Sequence, residues 1–448
     1  MPFPSFHRPK PPTSHPTQRQ RMPVRCMPVR SMAAALAALT LTLMQSPLPA
    51  TAGEAADLAR GTIEAGKLAD GDKQLSQRLA ASAADDEARF GLAMVRFAAA
   101  IQTFGQHHYR HGLKTPAIPM FPFLRMPVPE NPSPEVLTYE KQRAAFARFL
   151  ADLMQVEATL APIKDRNVKV VIDLEKVHLD FRDTGTSDPA ATLMNVVRSI
   201  NSMRPVQPEP DARFEVAFDY ADTIWLRGYC HLLAAGLEFI LAYDWSPTFA
   251  AGGELFYPRI GTTGGAAARP STTAGRESLP WVRNGGMGDI ASAVAMIHLI
   301  RWEPVEPKRM SAARLHLKDV VRLSRDNWAA ILAETDDDRE WLPSPSQKAG
   351  VLPGMGITED RVKTWMSALD EFDAVLDGRK LVPHWGLEKG INLRRVFEEP
   401  RTFDLVLWAT GHGVAPYLEN GPMISQQTWA MWQRVFQGNF LGFAAYFN

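Results

Sequence analysis

Three histidines, His107, His108 and His111, fall in the pattern H-H-x-x-H inside a stretch of helical periodicity. Residues four apart share a helix face, so His107 and His111 have the spacing with which two imidazoles bind one zinc ion. His108 occupies the place where metal-assisted hydrolysis would want a general-base Glu, and no third ligand lies close by in sequence. The same histidines also suit a helix end, where positive charge complements the last turn before Gly112. A second constellation lies on the apolar stretch 221–243. At 100° per residue, Arg227, His231 and Glu238 fall within about 40° of one another, a narrow polar stripe on an otherwise apolar helix. Such groups need partners, because an unpaired buried charge is expensive. They either line a ligand-binding cleft, with His231 as acid or base, or tie neighbouring helices together through ion pairs. Cys230, next to His231 in the same apolar run, reads as a buried inert thiol, since neighbours on a helix point about 100° apart and do not form a dyad.

Three further stretches invite chemistry and fall short of a complete motif. Asp180-x-Arg182-x-Thr184-Gly185 resembles an EF-hand loop in its first Asp and in its Gly at position six. Arg and Thr stand at ligand places, however, and Ala191 stands where a bidentate Glu belongs, so an Asp/Gly turn after a strand is the expectation. Gly285-Gly286-Met287-Gly288-Asp289 reads as a glycine turn into a capped helix, because no Lys-Ser/Thr follows it. Gly411-His412-Gly413 follows the apolar run Phe403–Ala409, which suits either a buried strand or a short helix ended by Gly411. The chain holds no G-x-S-x-G nucleophile elbow that would make His412 a triad member.

These residues sit in a chain of 448 with 49 basic and 49 acidic side chains, 46% hydrophobic residues and two Cys. The composition is that of a globular protein and excludes a coiled coil, a collagen-like chain and a disulfide scaffold. Residues 1–52 carry six basic side chains and no acidic one. They contain an apolar segment, Met32 to Met44, that is too short for a bilayer needing about 20 residues. Small residues at Ala50 and Ala52 complete the pattern of a secretory signal cleaved after Ala52, with Met1, Met22 and Met27 all possible starts. Cys26 precedes the apolar segment, which argues against a lipoprotein signal. Without this leader, 43 basic and 49 acidic residues remain, a net charge of −6. That mildly acidic balance argues against nucleic acid as a partner. With no later run of about 18 apolar residues, no transmembrane segment is expected after cleavage, and the expected location is periplasmic or secreted.

The positioning elements are mostly helical. The arm at 53–114 is rich in Ala, Leu and charged residues, followed by a linker at 115–134 with seven Pro. A helix then runs to about Leu160, and Val168 to Leu174, Val177 to Phe181 and Phe214 to Tyr220 alternate as half-buried strands do. All eleven Trp lie between Trp225 and Trp432, which marks 221–448 as a region with a different core. Helices are expected there at 221–243, 289–302, 311–334, 359–377 and 425–445, with Trp328 and Leu332, Trp365, Leu369 and Phe372, and Trp429, Trp432 and Phe436 forming core stripes. Asp85 to Ala93 resembles the start of a tetratricopeptide repeat: acidic residues open the helix, and Leu92-Ala93 has an equivalent 34 residues earlier in Leu58-Ala59. The resemblance covers about one and a half repeats, lacks the usual aromatic and Pro positions, and implies a helical interaction module.

The expected fold is therefore mainly α, with an N-terminal helical-repeat-like arm, a small antiparallel β element at about 168–220 and a larger Trp-rich helical domain. The expected role is an exported envelope protein that binds a partner protein or a small-molecule ligand. The alternative is a periplasmic metal-assisted hydrolase. The sequence specifies no cofactor.

Overall fold

The first three helices, α1 (Glu54–Glu64), α2 (Leu68–Ala81) and α3 (Asp86–Arg110), follow from local signals. Asp85 caps α3 by accepting the Ala88 N–H at 2.9 Å, and Gly112 takes φ 71 just past its end, the left-handed conformation that favours glycine. Gly91 lets α3 approach α1 closely: a Cβ there would lie 2.6 Å from the Ala59 Cβ. The structure, a computed structural model, describes residues 53–114, 126–185, 191–201, 213–261, 294–348, 350–351 and 356–446. The expected leader, much of the linker and the Gly285–Asp289 turn lie outside the described residues.

Two-residue strand β1 (Leu137–Thr138) runs parallel to β5 (Ile260–Gly261) and leads into α4 (Tyr139–Leu160), which Thr138 caps. Next, β2 (Val170–Asp173) pairs antiparallel with β3 (Glu215–Phe218), Val170 opposite Phe218, while α5 (Leu193–Asn201) lies between them in sequence. This is the small antiparallel element expected from the alternation at 168–174 and 214–220. The expected strand at Val177–Phe181 is absent as a ladder. Val177, Leu179 and Phe181 are fully buried, and the segment bonds through Leu179 N–H to Ala191 and by an isolated bridge from His178 to Thr192.

Helix α6 (Tyr220–Ala242) crosses the middle of the molecule. It packs on α4 and, more extensively, on α8 (Lys308–Ile331). Between them come β4 (Tyr243–Asp244), α7 (Ser246–Gly252), β5 and β6 (Arg301–Pro304). Of the expected helix at 289–302, residues 294–298 are helical, 289–293 lie outside the described residues, and the end at 301–302 is corrected to strand. Arg301–Pro304 is the middle strand between β4 and β8 (Phe403–Asp404), because it carries one inward side chain, Trp302, and exposed charges on either side of it. Beyond α8 follow α9 (Glu359–Leu376), β7 (Gly390–Ile391), α10 (Leu393–Glu398), β8, α11 (Leu405–Ala409), β9 (Leu418–Glu419), α12 (Gln426–Val435) and α13 (Phe440–Tyr446). The expected helix at 425–445 is split, since Gln437 and Gly438 take φ 54 and φ 81.

The described chain is mainly helical with a few small sheets. Thr51–Asn448 forms one compact unit, in which a main hydrophobic core extends from Ala55 to Phe443 and two smaller clusters gather around Trp302 and around Tyr417. Trp328, Trp365 and Trp432 are its largest fully buried side chains. Two members of the expected stripes lie outside it: Leu332 is 54% and Trp429 43% exposed.

Candidate functional site

The start of α6 is fixed by a reciprocal cap. Asp219 accepts the Ala221 N–H at 2.8 Å, and Asp222 accepts the Asp219 N–H at 3.0 Å, satisfying donors that a helix start leaves open. Among the described residues α6 is long and apolar enough to cross a membrane. In this fold it is a core helix, with Leu226, Cys230, Ala234 and Leu241 buried against its neighbours. Burial drives the Cys230 thiol pKa far up, so that no thiolate is available for nucleophilic attack.

The three residues of the α6 stripe reach partners on the two neighbouring helices, Arg227 and His231 sharing one of them. Arg227 donates from Nε and Nη2 to Glu157 Oε1 of α4 at 3.0 and 2.9 Å. His231 places Nε2 3.8 Å from the same oxygen and Nδ1 2.8 Å from His316 Nδ1 of α8. Glu238 accepts from Arg309 Nη1 at 2.9 Å. The His231 ring, and after it the Arg227 guanidinium, hold the Glu157 carboxyl down at about 2 against the opposing effect of burial. The stripe is thus an interhelical network joining α4, α6 and α8.

Beside Arg227 the network borders an open cavity of about 280 Å3 between the end of α4, the first half of α6 and the second half of α8. Ile163, Ile224 and Leu323 supply apolar wall, and Thr223 and Tyr220 lie at its α6 side. Arg166 sets its guanidinium 5.6 Å from the centre of the Tyr220 ring, a cation–π contact. Among the described residues Arg166 makes no ion pair.

Asp219, Glu334 and Glu340 offer carboxylate oxygens within 4.8 Å of one another. Hard oxygen ligands of this kind suit calcium or magnesium rather than zinc. Each also has a structural partner: Asp219 caps α6, Glu340 accepts the Asp338 N–H at 3.0 Å, and Glu334 accepts from Gln347 at 3.3 Å. Burial first and like charge second push Glu334 up to about 8, and burial pushes Glu340 up to about 7. Asp222, deeper still, is raised well above the ordinary carboxylate range by burial and by Asp219. Burial and mutual crowding thus favour the protonated form of these groups unless a cation replaces the proton.

His107 and His111 do come together, with ring centroids 4.8 Å apart. One nitrogen of each is spent: His107 Nε2–H donates to Gln142 Oε1 at 3.0 Å, and His111 Nδ1–H donates to the Glu135 carbonyl at 3.3 Å. His108 is fully buried and pairs with the Tyr257 hydroxyl at 2.7 Å. Burial holds His107 at about 4 and lowers His108 and His111 as well, so all three are neutral bases near pH 7. Asp180 accepts the Gly185 N–H at 2.7 Å, which closes a turn. Gly411 takes φ 87 at the end of α11, and His412 is exposed with Nδ1 3.3 Å from Thr410 Oγ1.

Sequence reasoning missed the partners of the α6 stripe, namely Glu157, Arg309 and His316, together with Arg166 and the carboxylate group. The run Glu334-Thr335-Asp336-Asp337-Asp338-Arg339-Glu340 was a visible signal for the last of these. The pairing across helices had no local signal. No protein-family model, no curated protein and no solved structure matches this chain.

Proposed function

We propose that this chain is an exported envelope protein that acts by binding, with a small ligand seated in the cavity between α4, α6 and α8. The observation that carries the reading is the Arg166 guanidinium, set over Tyr220 and without an ion-pair partner among the described residues, at the edge of a cavity of about 280 Å3 that Arg227 and Asp326 also line. A cation beside a mixed wall, with Ile163, Ile224 and Leu323 as its apolar part, suits a compact ligand with one anionic group and a small apolar body. The volume lies at the small end of ligand sites, which favours a ligand of one ring or one short chain.

Export rests on the order of basic, apolar and small-residue segments in 1–52. Mass spectrometry of the protein recovered from the periplasm of a bacterial host should give a chain beginning at Gly53; an intact N-terminus in that fraction would refute export with cleavage. Calorimetry with benzoate as probe should show binding that Arg166→Ala weakens about tenfold. Equal binding by both proteins, or no heat from benzoate and none from inorganic phosphate, would remove the cavity reading.

A second reading, a metal-assisted hydrolase, draws its support from the carboxylate group Asp219, Glu334 and Glu340. Those residues would hold a hard divalent cation, which would supply Lewis-acid polarisation of a substrate oxygen. Elemental analysis of protein purified without a His tag should then find close to one equivalent of calcium or magnesium, lost in Glu340→Gln. Absence of stoichiometric metal counts against it.

A further inference from the structure

At the centre of the α6–α8 contact two histidines meet nitrogen to nitrogen. His231 Nδ1 and His316 Nδ1 lie 2.8 Å apart, with ring centroids 5.1 Å apart. So short a contact needs one N–H and one lone pair. Two neutral rings satisfy it when one carries its hydrogen on Nδ1 and the other on Nε2. One imidazolium donating to a neutral ring satisfies it too. Two imidazolium rings do not, because each then carries a hydrogen on Nδ1 and both hydrogens point into the same gap.

The carboxylates packed around the pair are already engaged by arginines. From α4, Glu157 faces His231 but already accepts both hydrogen bonds of Arg227. From α6, Glu238 is engaged by Arg309. On α8, Asp319 accepts from Arg322 at 2.9 Å. Each nearby carboxylate is thus engaged, with Arg309 shared by Glu306 and Arg322 by Asp326, and a doubly charged pair sets two like charges and two facing N–H groups against each other where His231 is buried and His316 half-buried.

We propose that His231 and His316 form a proton-sensitive latch between α6 and α8, closed while the pair carries at most one positive charge and released when both rings are charged. Burial, and after it the neighbouring His231, lower the pKa of His316, so release belongs below the ordinary histidine range. Position gives the latch its reach. The α6–α8 contact is the most extensive between any two elements, and Glu157 links His231 to Arg227 at the cavity wall. The latch stands independently of any ligand in that cavity.

His316→Asn tests it, because the Asn amide oxygen keeps an acceptor near the place of Nδ1 and removes the titration. Thermal midpoints of the purified full chain are compared at about pH 7.5 and about pH 5. Hydrogen exchange is followed in peptides from α6 and α8 and corrected for the intrinsic pH dependence of exchange. Wild type and variant should melt alike at the higher pH. At the lower pH wild type should fall by about 2–4 °C more than the variant, with faster exchange in α6 and α8 that the variant does not show. Equal falls with equal exchange would overturn the latch. If His316→Asn does not fold, histidine titration of wild type by NMR decides: two well-separated steps for the pair support it, and two independent steps in the ordinary histidine range overturn it.

Discussion

Along α6, two groups of ionisable side chains are taken out of water in opposite ways. At its N-terminal end Asp219 and Asp222 lie close to Glu334 and Glu340, with Lys169 as the cation within electrostatic reach of Asp219 and Glu340. Farther along it each carboxylate faces an arginine: Glu157 faces Arg227, and Glu238 faces Arg309, which Glu306 shares. Burial raises a carboxyl pKa in both places, yet Glu334 is pushed up to about 8 while Glu157 is held at about 2. The difference lies in the partners, since a facing guanidinium or imidazole favours the charged form more strongly than partial burial disfavours it. The N-terminal end of the helix therefore favours bound protons, and the stretch beyond it favours ion pairs.

If that contrast is right, the two regions respond to mutation with opposite sign. The largest effect is expected from Glu157→Ala, which leaves Arg227 and His231 facing each other across a partly buried space. The expected loss is about 2 kcal/mol, below the value for a fully buried pair because both side chains keep some contact with water. Urea unfolding at neutral pH measures it, and a variant as stable as wild type would show that the network only decorates the packing. His231→Ala should cost less, about 1–2 kcal/mol, since it removes one ring contact and leaves Glu157 paired with Arg227. A His231→Ala protein of unchanged stability that no longer binds benzoate would instead assign His231 to the ligand.

The sequence made the stripe legible and hid its partners. Arg227, His231 and Glu238 stand out because helical spacing alone places them together on an apolar cylinder. Glu157, Arg309 and His316 are 70, 71 and 85 residues from the groups they touch, and their register is set by how α4 and α8 dock, which no local pattern encodes. The same limit explains the strand at Arg301–Pro304, where Trp302 is the single buried side chain. One inward residue carries no period, so a helical pattern from the preceding residues ran on through it. Trp429 and Leu332 failed as core predictions for a related reason: helical spacing identifies a face, and only docking decides whether that face is covered.

The smallest effect is the sharpest test of the proton-storing end. Glu334 is raised from 4.5 to about 8 and Glu340 to about 7, so the folded state keeps protons that the unfolded chain releases. Their contribution is complete below about pH 4.5 and is lost as pH rises through 7 and 8. The histidines run the other way. His107, lowered from 6.5 to about 4, and His316, lowered by burial, favour the folded state above about pH 6.5 and lose that contribution as pH falls. Between about pH 4.5 and 6.5 the two slopes oppose each other, whereas from about 6.5 to 8 the carboxylate loss stands alone. Wild type should accordingly lose stability toward pH 8. Glu334→Gln, which keeps an acceptor for Gln347, should change little near pH 5 and gain about 1 kcal/mol near pH 8.5. Denaturant midpoints at the two pH values measure this, and a wild type that gains stability between pH 6.5 and 8 would show that a cation, rather than protons, neutralises Asp219, Glu334 and Glu340.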